Sequence, residues 1–205
     1  MHYLSLATIV GVASTASAHG VITSPTPRIA GNASLAACGT AVQLLNTQDV
    51  TTHVEGLPEV AAVDSTYHPD ECNLWLCKGL QLDEEASGPV QTYSPGEVVP
   101  IDVNLRILHD GTANVSIVDT ASNTIVGSQL LYWDDYANEK LPSVPENNTH
   151  FSITIPDDIE EGKCTTAGEC VIQWWWYGVA ADQTYESCID FVLGDAAPSS
   201  RIRRK

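Results

Sequence analysis

VVPIDVNLRILHDGTANVSIVDT, residues 98–120, is the stretch that decides the fold. Val99, Ile101, Val103 and Leu105 alternate with Pro100, Asp102, Asn104 and Arg106. Side chains two apart share one face of a strand, so Val98–Leu108 reads as a half-buried β-strand. Asp110-Gly111 is a turn signal, and Ala113–Val118 resumes the alternation. Further short segments, alternating or rich in β-branched and aromatic residues, follow at Thr124–Leu131, His150–Ile155, Cys170–Tyr177 and Ser187–Leu193. Ser94-Pro95-Gly96, Ser122-Asn123 and Pro156-Asp157-Asp158 punctuate them. Residues 19–90 are irregular, with Pro, Gly and short polar runs, and no long 3.6-residue pattern follows His19. An all-β domain is therefore expected, an immunoglobulin- or fibronectin-like β-sandwich with long loops.

The chain opens MHYLSLATIVGVASTASAHG. Leu4–Val12 is mostly apolar and too short to span a bilayer, and Ala16-Ser17-Ala18 fits a small-x-small cleavage site. Residues 1–18 read as a secretory signal peptide, 19–194 as one domain, and 195–205 as a disordered basic tail. A secreted, extracellular protein is expected, and no later stretch has the ~20 apolar residues of a membrane helix. Cleavage after Ala18 makes His19 the first residue, and its α-amine and imidazole can close a chelate ring on one metal ion.

With 26 acidic and 9 basic residues, the net charge is −17. This disfavours nucleic acid and anionic membranes, and leaves neutral glycans open as partners. A monomer is expected. Six cysteines in an exported chain read as three disulfides. Cys72–Cys77 and Cys164–Cys170 are near enough in sequence to staple local loops, leaving Cys38–Cys188; a zinc site lacks CxxC spacing. Asn32-Ala33-Ser34, Asn114-Val115-Ser116 and Asn147-Asn148-Thr149 are candidate glycosylation sequons.

Five histidines lie beyond the signal segment. His53 and His68 read as surface loop residues. His109 ends a strand beside the Asp110-Gly111 turn, a position suited to the sandwich edge. Gln183 and Tyr185 share one face of a late strand because they are two apart. A Cys38–Cys188 bridge would bring that strand near His19.

The His19-Gly20 start, the His109-Asp110-Gly111 turn and the Gln183-x-Tyr185-x-x-Cys188 run together resemble the fungal lytic polysaccharide monooxygenases. HGVITSPTPR, CNLWLCKG and VIQWWWYG agree with this, and the texture is closest to the chitin-binding type-4-like proteins of auxiliary-activity family sixteen. The resemblance spans His19 to about Leu193. It implies a copper enzyme that cleaves glycosidic bonds in cellulose or chitin, using O2 or H2O2 and an external electron donor. It implies one copper per chain, held by the amine and ring of His19 and by His109, with Tyr185 axial and Gln183 beside the bound oxygen. Three nitrogen donors suit copper, which heads the divalent affinity order. One departure stands out. Where many relatives place a histidine on the strand before the tyrosine, this chain reads Gln173-Trp174-Trp175-Trp176, so Gln173 or Trp174 takes that space. That departure keeps open a copper oxidase making H2O2 for partner enzymes; a non-catalytic copper- or carbohydrate-binding protein is a further alternative, against which stand Gln183 and Tyr185. Trp174–Trp176 read mainly as core, with a further capacity to carry an electron hole.

Overall fold

The computed structural model describes residues 19–194, so the expected signal peptide, 1–18, and the expected basic tail, 195–205, lie outside the described residues. Two sheets pack face to face. The smaller has the order β1 (His19–Ser24), β3 (Val98–Ile107), β7 (His150–Thr154), all antiparallel. The larger runs β2 (Gln91–Tyr93), β9 (Gln183–Leu193), β8 (Cys170–Gly178), β4 (Gly111–Asp119), with β5 (Thr124–Ile125) and β6 (Leu131–Tyr136) sharing the outer edge of β4. The alternation in residues 98–120 is the reason: Val99, Ile101 and Val103 meet Ala113, Val115, Ile117, Ile172, Trp174, Trp176, Ile189 and Phe191 in one core. The expected strand Thr124–Leu131 is instead two short strands, β5 and β6, joined by a loop through Gly127, whose φ is +74°.

The irregular reading of residues 19–90 needs correction. Asn32–Gln48 forms α1, followed by α2 (Gly56–Ala61) and the single turn α3 (Glu84–Ser87). The buried residues of α1 include Ser34, Cys38, Val42 and Asn46, a stripe at every fourth position made mostly of small or polar side chains. Gly39, at φ +79°, interrupts the helical backbone. Both features hide a helix from a hydrophobicity pattern.

Two expected disulfides are also corrected. The bonds are Cys38–Cys72, Cys77–Cys188 and Cys164–Cys170, not Cys38–Cys188 and Cys72–Cys77. Cys72 turns into the cluster under α1 with Val42, Val54 and Leu57, whereas Cys77 packs with Leu80, Val118 and Val171 on the back of the large sheet. The two sulfurs of CNLWLC thus serve different layers despite their closeness in sequence. Arg28 reinforces the same junction. Its Nε and Nη2 donate to Asp190 at 2.8 and 2.7 Å, and its Nη1 donates to the Leu80 carbonyl at 2.9 Å, all buried.

Candidate metal centre

The pairing of β1 with β3 places His19 and His109 at the same end of the sandwich. His19 is opposite Ile107 in the register, and His109 follows two residues later in the turn to β4. Gly20 lets β1 lie directly on the tryptophans: a Cβ there would stand 2.9 Å from Trp174 and 3.3 Å from Trp176. Trp176 in turn stacks on Tyr185, with ring centroids 4.6 Å apart and planes at 30°. It is therefore Trp176, not a Cys38–Cys188 bridge, that couples the Tyr185 strand to the start of β1. On the other side, the His109 Cβ lies 3.3 Å from where a Gly178 Cβ would be, and Gly178 is the cross-strand partner of Gln183.

The two imidazoles meet carboxylates through different nitrogens. His19 Nε2 is 3.0 Å from Asp49 Oδ2. A carboxylate there selects the tautomer protonated at Nε2, which carries its lone pair on Nδ1. His109 is 6% exposed. Its Nδ1 faces Glu139 Oε2 at 3.7 Å, and its Nε2 is buried with no hydrogen-bond partner among the described residues. A buried ring nitrogen left in that state is costly unless something coordinates or bonds it.

Asp49 is itself fixed. It caps the end of α1, its N–H donating to the Leu45 carbonyl, and its Oδ1 accepts from Thr51 N–H at 2.9 Å and Thr51 Oγ1 at 2.5 Å. Arg106 Nη1 reaches Oδ2 at 3.4 Å. Burial works to raise its pKa, but the Thr51 bonds, His19 and Arg106 outweigh it and hold the carboxyl below its ordinary value.

Tyr185 is fully buried, and its hydroxyl donates to Gln183 Oε1 at 2.6 Å. The Gln183 amide nitrogen is thereby left to donate elsewhere. Burial, reinforced by the Glu55 and Asp49 charges, pushes the Tyr185 phenol up and keeps it neutral. Gln173, expected as one occupant of the space beside the tyrosine, pairs with Cys188 on the opposite face of the sheet. Trp174 lies one pair further into the core, so Trp176 is the β8 residue against Tyr185.

His53, read from sequence as a surface loop residue, packs edge-on against Tyr185 with centroids 6.3 Å apart. Its Nδ1 is 3.1 Å from Glu55 Oε2, and both Glu55 oxygens accept from the Thr184 N–H at 2.9 Å. Burial tends to raise the Glu55 pKa, but His53 and Thr184 more than offset this and lower it. Asp49, His53 and Glu55 thus join the candidate site from the loop after α1. Nothing local in the sequence marks Asp49, and only the His53-x-Glu55 spacing hints at the second pair. His68 and His150 are exposed elsewhere. Trp133 packs on Phe151 and Tyr136, whereas Trp75 is exposed beside Asn123, at the far end of β4 from His109.

Among the described residues no three His, Cys, Asp or Glu side chains gather as a metal-holding group. Two imidazoles therefore need a donor of another kind if a metal is to be held here.

A family model described as lytic polysaccharide mono-oxygenase, cellulose-degrading, matches residues 19–191. No curated protein matches. Among solved structures, the chain is similar to a chitin-binding domain from Burkholderia pseudomallei, at 10% identity over 86% of this chain and 100% of that one, with a TM-score of 0.44. It is similar to the cellulose-active monooxygenase CelS2 in complex with copper, at 15% identity over 85% and 98% of the two chains and a TM-score of 0.42. A monooxygenase from Kitasatospora papulosa shows 14% identity over 87% and 100%, with a TM-score of 0.38. At this overlap none of the three carries an argument about function. The family match, which runs through the whole sandwich from His19, does: the chain belongs to the lytic polysaccharide monooxygenases.

Proposed function

We propose that the mature chain begins at His19, is secreted, and holds one copper ion through the His19 α-amine, His19 Nδ1 and His109 Nε2. The observation that carries this reading is that Asp49 occupies His19 Nε2, while His109 Nε2 is buried with no hydrogen-bond partner among the described residues. Removal of Met1–Ala18 turns an amide nitrogen into an amine and supplies the third donor. Such an amine has an ordinary pKa of about 8 and must lose a proton to bind metal, so affinity falls in acid.

Copper so held would supply one-electron chemistry between Cu(II) and Cu(I), on which activation of O2 or H2O2 and hydrogen abstraction at a sugar C1 or C4 depend. The chain's own residues do the rest. Asp49 fixes the rotation and tautomer of the His19 ring, the role that carboxylates commonly play behind metal-bound histidines. Tyr185, held neutral, would offer its phenol oxygen to the copper, and Trp176, stacked on its ring, would keep water from that side. The Gln183 amide, with its oxygen engaged by Tyr185, offers its N–H groups to the oxidant. The substrate is an insoluble neutral polysaccharide, because a charge of −17 repels anionic polymers, and the description of the matching family favours cellulose before chitin. An external donor supplies the electrons.

The test is to produce the chain cleaved at Ala18, load copper, add ascorbate, and incubate with cellulose and with chitin. Oxidised oligosaccharides by mass spectrometry are expected. Peroxide without oxidised sugars would replace this reading with a copper oxidase serving partner enzymes, and no redox turnover would leave a binding protein. His109→Ala should abolish tight copper binding, and unchanged affinity would refute the ligand set.

A further inference from the structure

The large sheet has an outer face that the site does not use. Asn114 lies at its centre, on β4, and is directly opposite Tyr132 of β6 on one side and Trp175 of β8 on the other. Directly opposed residues project from the same face with their Cβ atoms about 4.5–5.5 Å apart. Tyr132 is 58% exposed and Trp175 is half-buried. Trp175 stacks on Tyr177, with centroids 6.2 Å apart and planes at 20°, and the Tyr177 hydroxyl donates to Asp182 at 2.6 Å. The result is a preformed aromatic strip with an asparagine in its middle. That asparagine opens the sequon Asn114-Val115-Ser116, and Ser116 Oγ donates to Asn114 Oδ1 at 3.0 Å, leaving Nδ2 out of that bond.

We propose that Asn114 carries an N-linked glycan whose first sugar ring stacks on Trp175 and Tyr132 and covers this strip. The inference rests on export through a eukaryotic secretory route and not on the copper reading. The sugar donor is a lipid-pyrophosphate-linked oligosaccharide. Asn114 Nδ2 forms a bond to the anomeric carbon, the anomeric C–O bond breaks, the lipid pyrophosphate leaves, and the amide gives up one proton; nothing is oxidised or reduced. Transfer precedes folding. In the folded chain β4 is paired on both edges and Ser116 is 1% exposed, so the sequon can no longer loop into a transferase. Once β4 closes, the strand register delivers the attached ring onto the two aromatic faces. Flat apolar sugar faces suit such surfaces, because Trp and Tyr combine a broad apolar body with a polar edge. Neither Asn32, at the start of α1, nor Asn147, in a short 3-10 turn, lies on a strand with cross-strand aromatic neighbours. The sequon at the centre of the strip also decides the occupant, since a glycan there blocks a free polysaccharide chain.

The full chain, including Met1–Ala18, should be secreted from a eukaryotic host and its three sequons mapped by peptide mass spectrometry. Asn114 is expected to be occupied. Trimming the glycan to a single sugar should leave the melting temperature unchanged, whereas Asn114→Gln should lower it by about 2–4 °C, the shift about 1 kcal/mol produces in a chain of this length. The anomeric proton of the retained sugar should move upfield in the NMR spectrum, under the ring current of Trp175, and return in Trp175→Thr. An unoccupied Asn114, or an occupied one whose loss changes neither melting nor the sugar's proton shifts, overturns the proposal. So does binding of soluble cello- or chito-oligosaccharides to this strip in the glycosylated wild-type protein, which would make it a docking face for external glycan.

Discussion

Replacing Asp49 with asparagine tests how the His19 ring is held. The carboxylate sits 3.0 Å from His19 Nε2, is anchored by Thr51, and shares its charge with Arg106. Its side chain is 30% exposed, so the full low-dielectric Coulomb energy does not apply. Loss of a carboxylate behind a metal-bound histidine commonly costs about 10–100-fold in metal affinity. Asparagine retains an acceptor for the Nε2 proton, so Asp49→Asn belongs at the lower end, about tenfold for Cu(II), or about 1.4 kcal/mol. Asp49→Ala removes acceptor and charge together and belongs nearer the upper end. The negative charge favours Cu(II) over Cu(I). If the whole tenfold loss fell on Cu(II), the reduction potential would rise by about 59 mV. Calorimetric copper titration, the potential, and the Cu(II) paramagnetic resonance spectrum measure the three effects, with circular dichroism as a check on folding. A folded Asp49→Asn protein that binds Cu(II) within twofold of the wild type, at the same potential, refutes the reasoning. Failure of the copper reading itself would look different, because the wild type would then also bind weakly.

Three further outcomes are expected from the scaffold. Arg28→Ala leaves Asp190 buried without its bidentate partner and should cost about 3–5 kcal/mol in denaturant unfolding, while the double change to apolar residues recovers most of it. The hydrogen bond from Lys163, helped by Ser122, depresses the Asp119 pKa to about 2, below the unfolded value. That stability is present above about pH 4 and lost as the pH falls through about 2, and Asp119→Asn should flatten this acid slope while costing about 1 kcal/mol or less at pH 7, because the pair is partly solvated. Removing Cys77–Cys188, with a sequence separation of 111, should destabilise by about 2–3 kcal/mol more than removing Cys164–Cys170, with a separation of 6, by the loop-entropy relation; equal melting losses would count against it.

The sandwich was legible where alternation is strict. Val98–Leu108 and Ala113–Val118 became β3 and β4 because every second side chain is apolar and faces the other sheet. The helical layer was illegible because its buried stripe is Ser34, Cys38, Val42 and Asn46, which no hydrophobic period detects. Disulfide pairing by proximity held for Cys164–Cys170 but failed for Cys72 and Cys77, because the six-residue segment CNLWLC faces two layers. In the candidate site, it was the resemblance to a family, more than strand ends, turns or spacing, that pointed to His19, His109, Gln183 and Tyr185. Asp49 and the His53–Glu55 pair could not be placed there, because they meet the site across a long stretch of chain: His19 lies 30 residues before Asp49, and Thr184 lies 129 after Glu55.

That helical layer is more than a cover for the back of the sheet. Cys77 is bonded to Cys188 on β9, three residues after Tyr185. The next residue, Lys78, is 2% exposed and donates from Nζ to the Val50 carbonyl at 2.6 Å, while its own N–H donates to Glu186 at 3.1 Å. Burial pushes the Lys78 amine down to about 8 and the Glu186 carboxyl up to about 7, so this junction is strongly desolvated. Val50 directly follows Asp49, whose carboxylate meets His19. A continuous path of one disulfide, one buried lysine and one carboxylate therefore ties the strand bearing Tyr185 to the ring of His19, independently of the contact through Trp176. A centre that must hold two oxidation states without rearranging benefits from ligands fixed from both sides. If copper is held as proposed, the loop after α1 would fix its ligands from one side as the sandwich fixes them from the other. Lys78→Met, which keeps the packing and deletes the tether, should therefore perturb the Cu(II) paramagnetic spectrum in the same direction as Asp49→Asn, although Lys78 touches neither histidine.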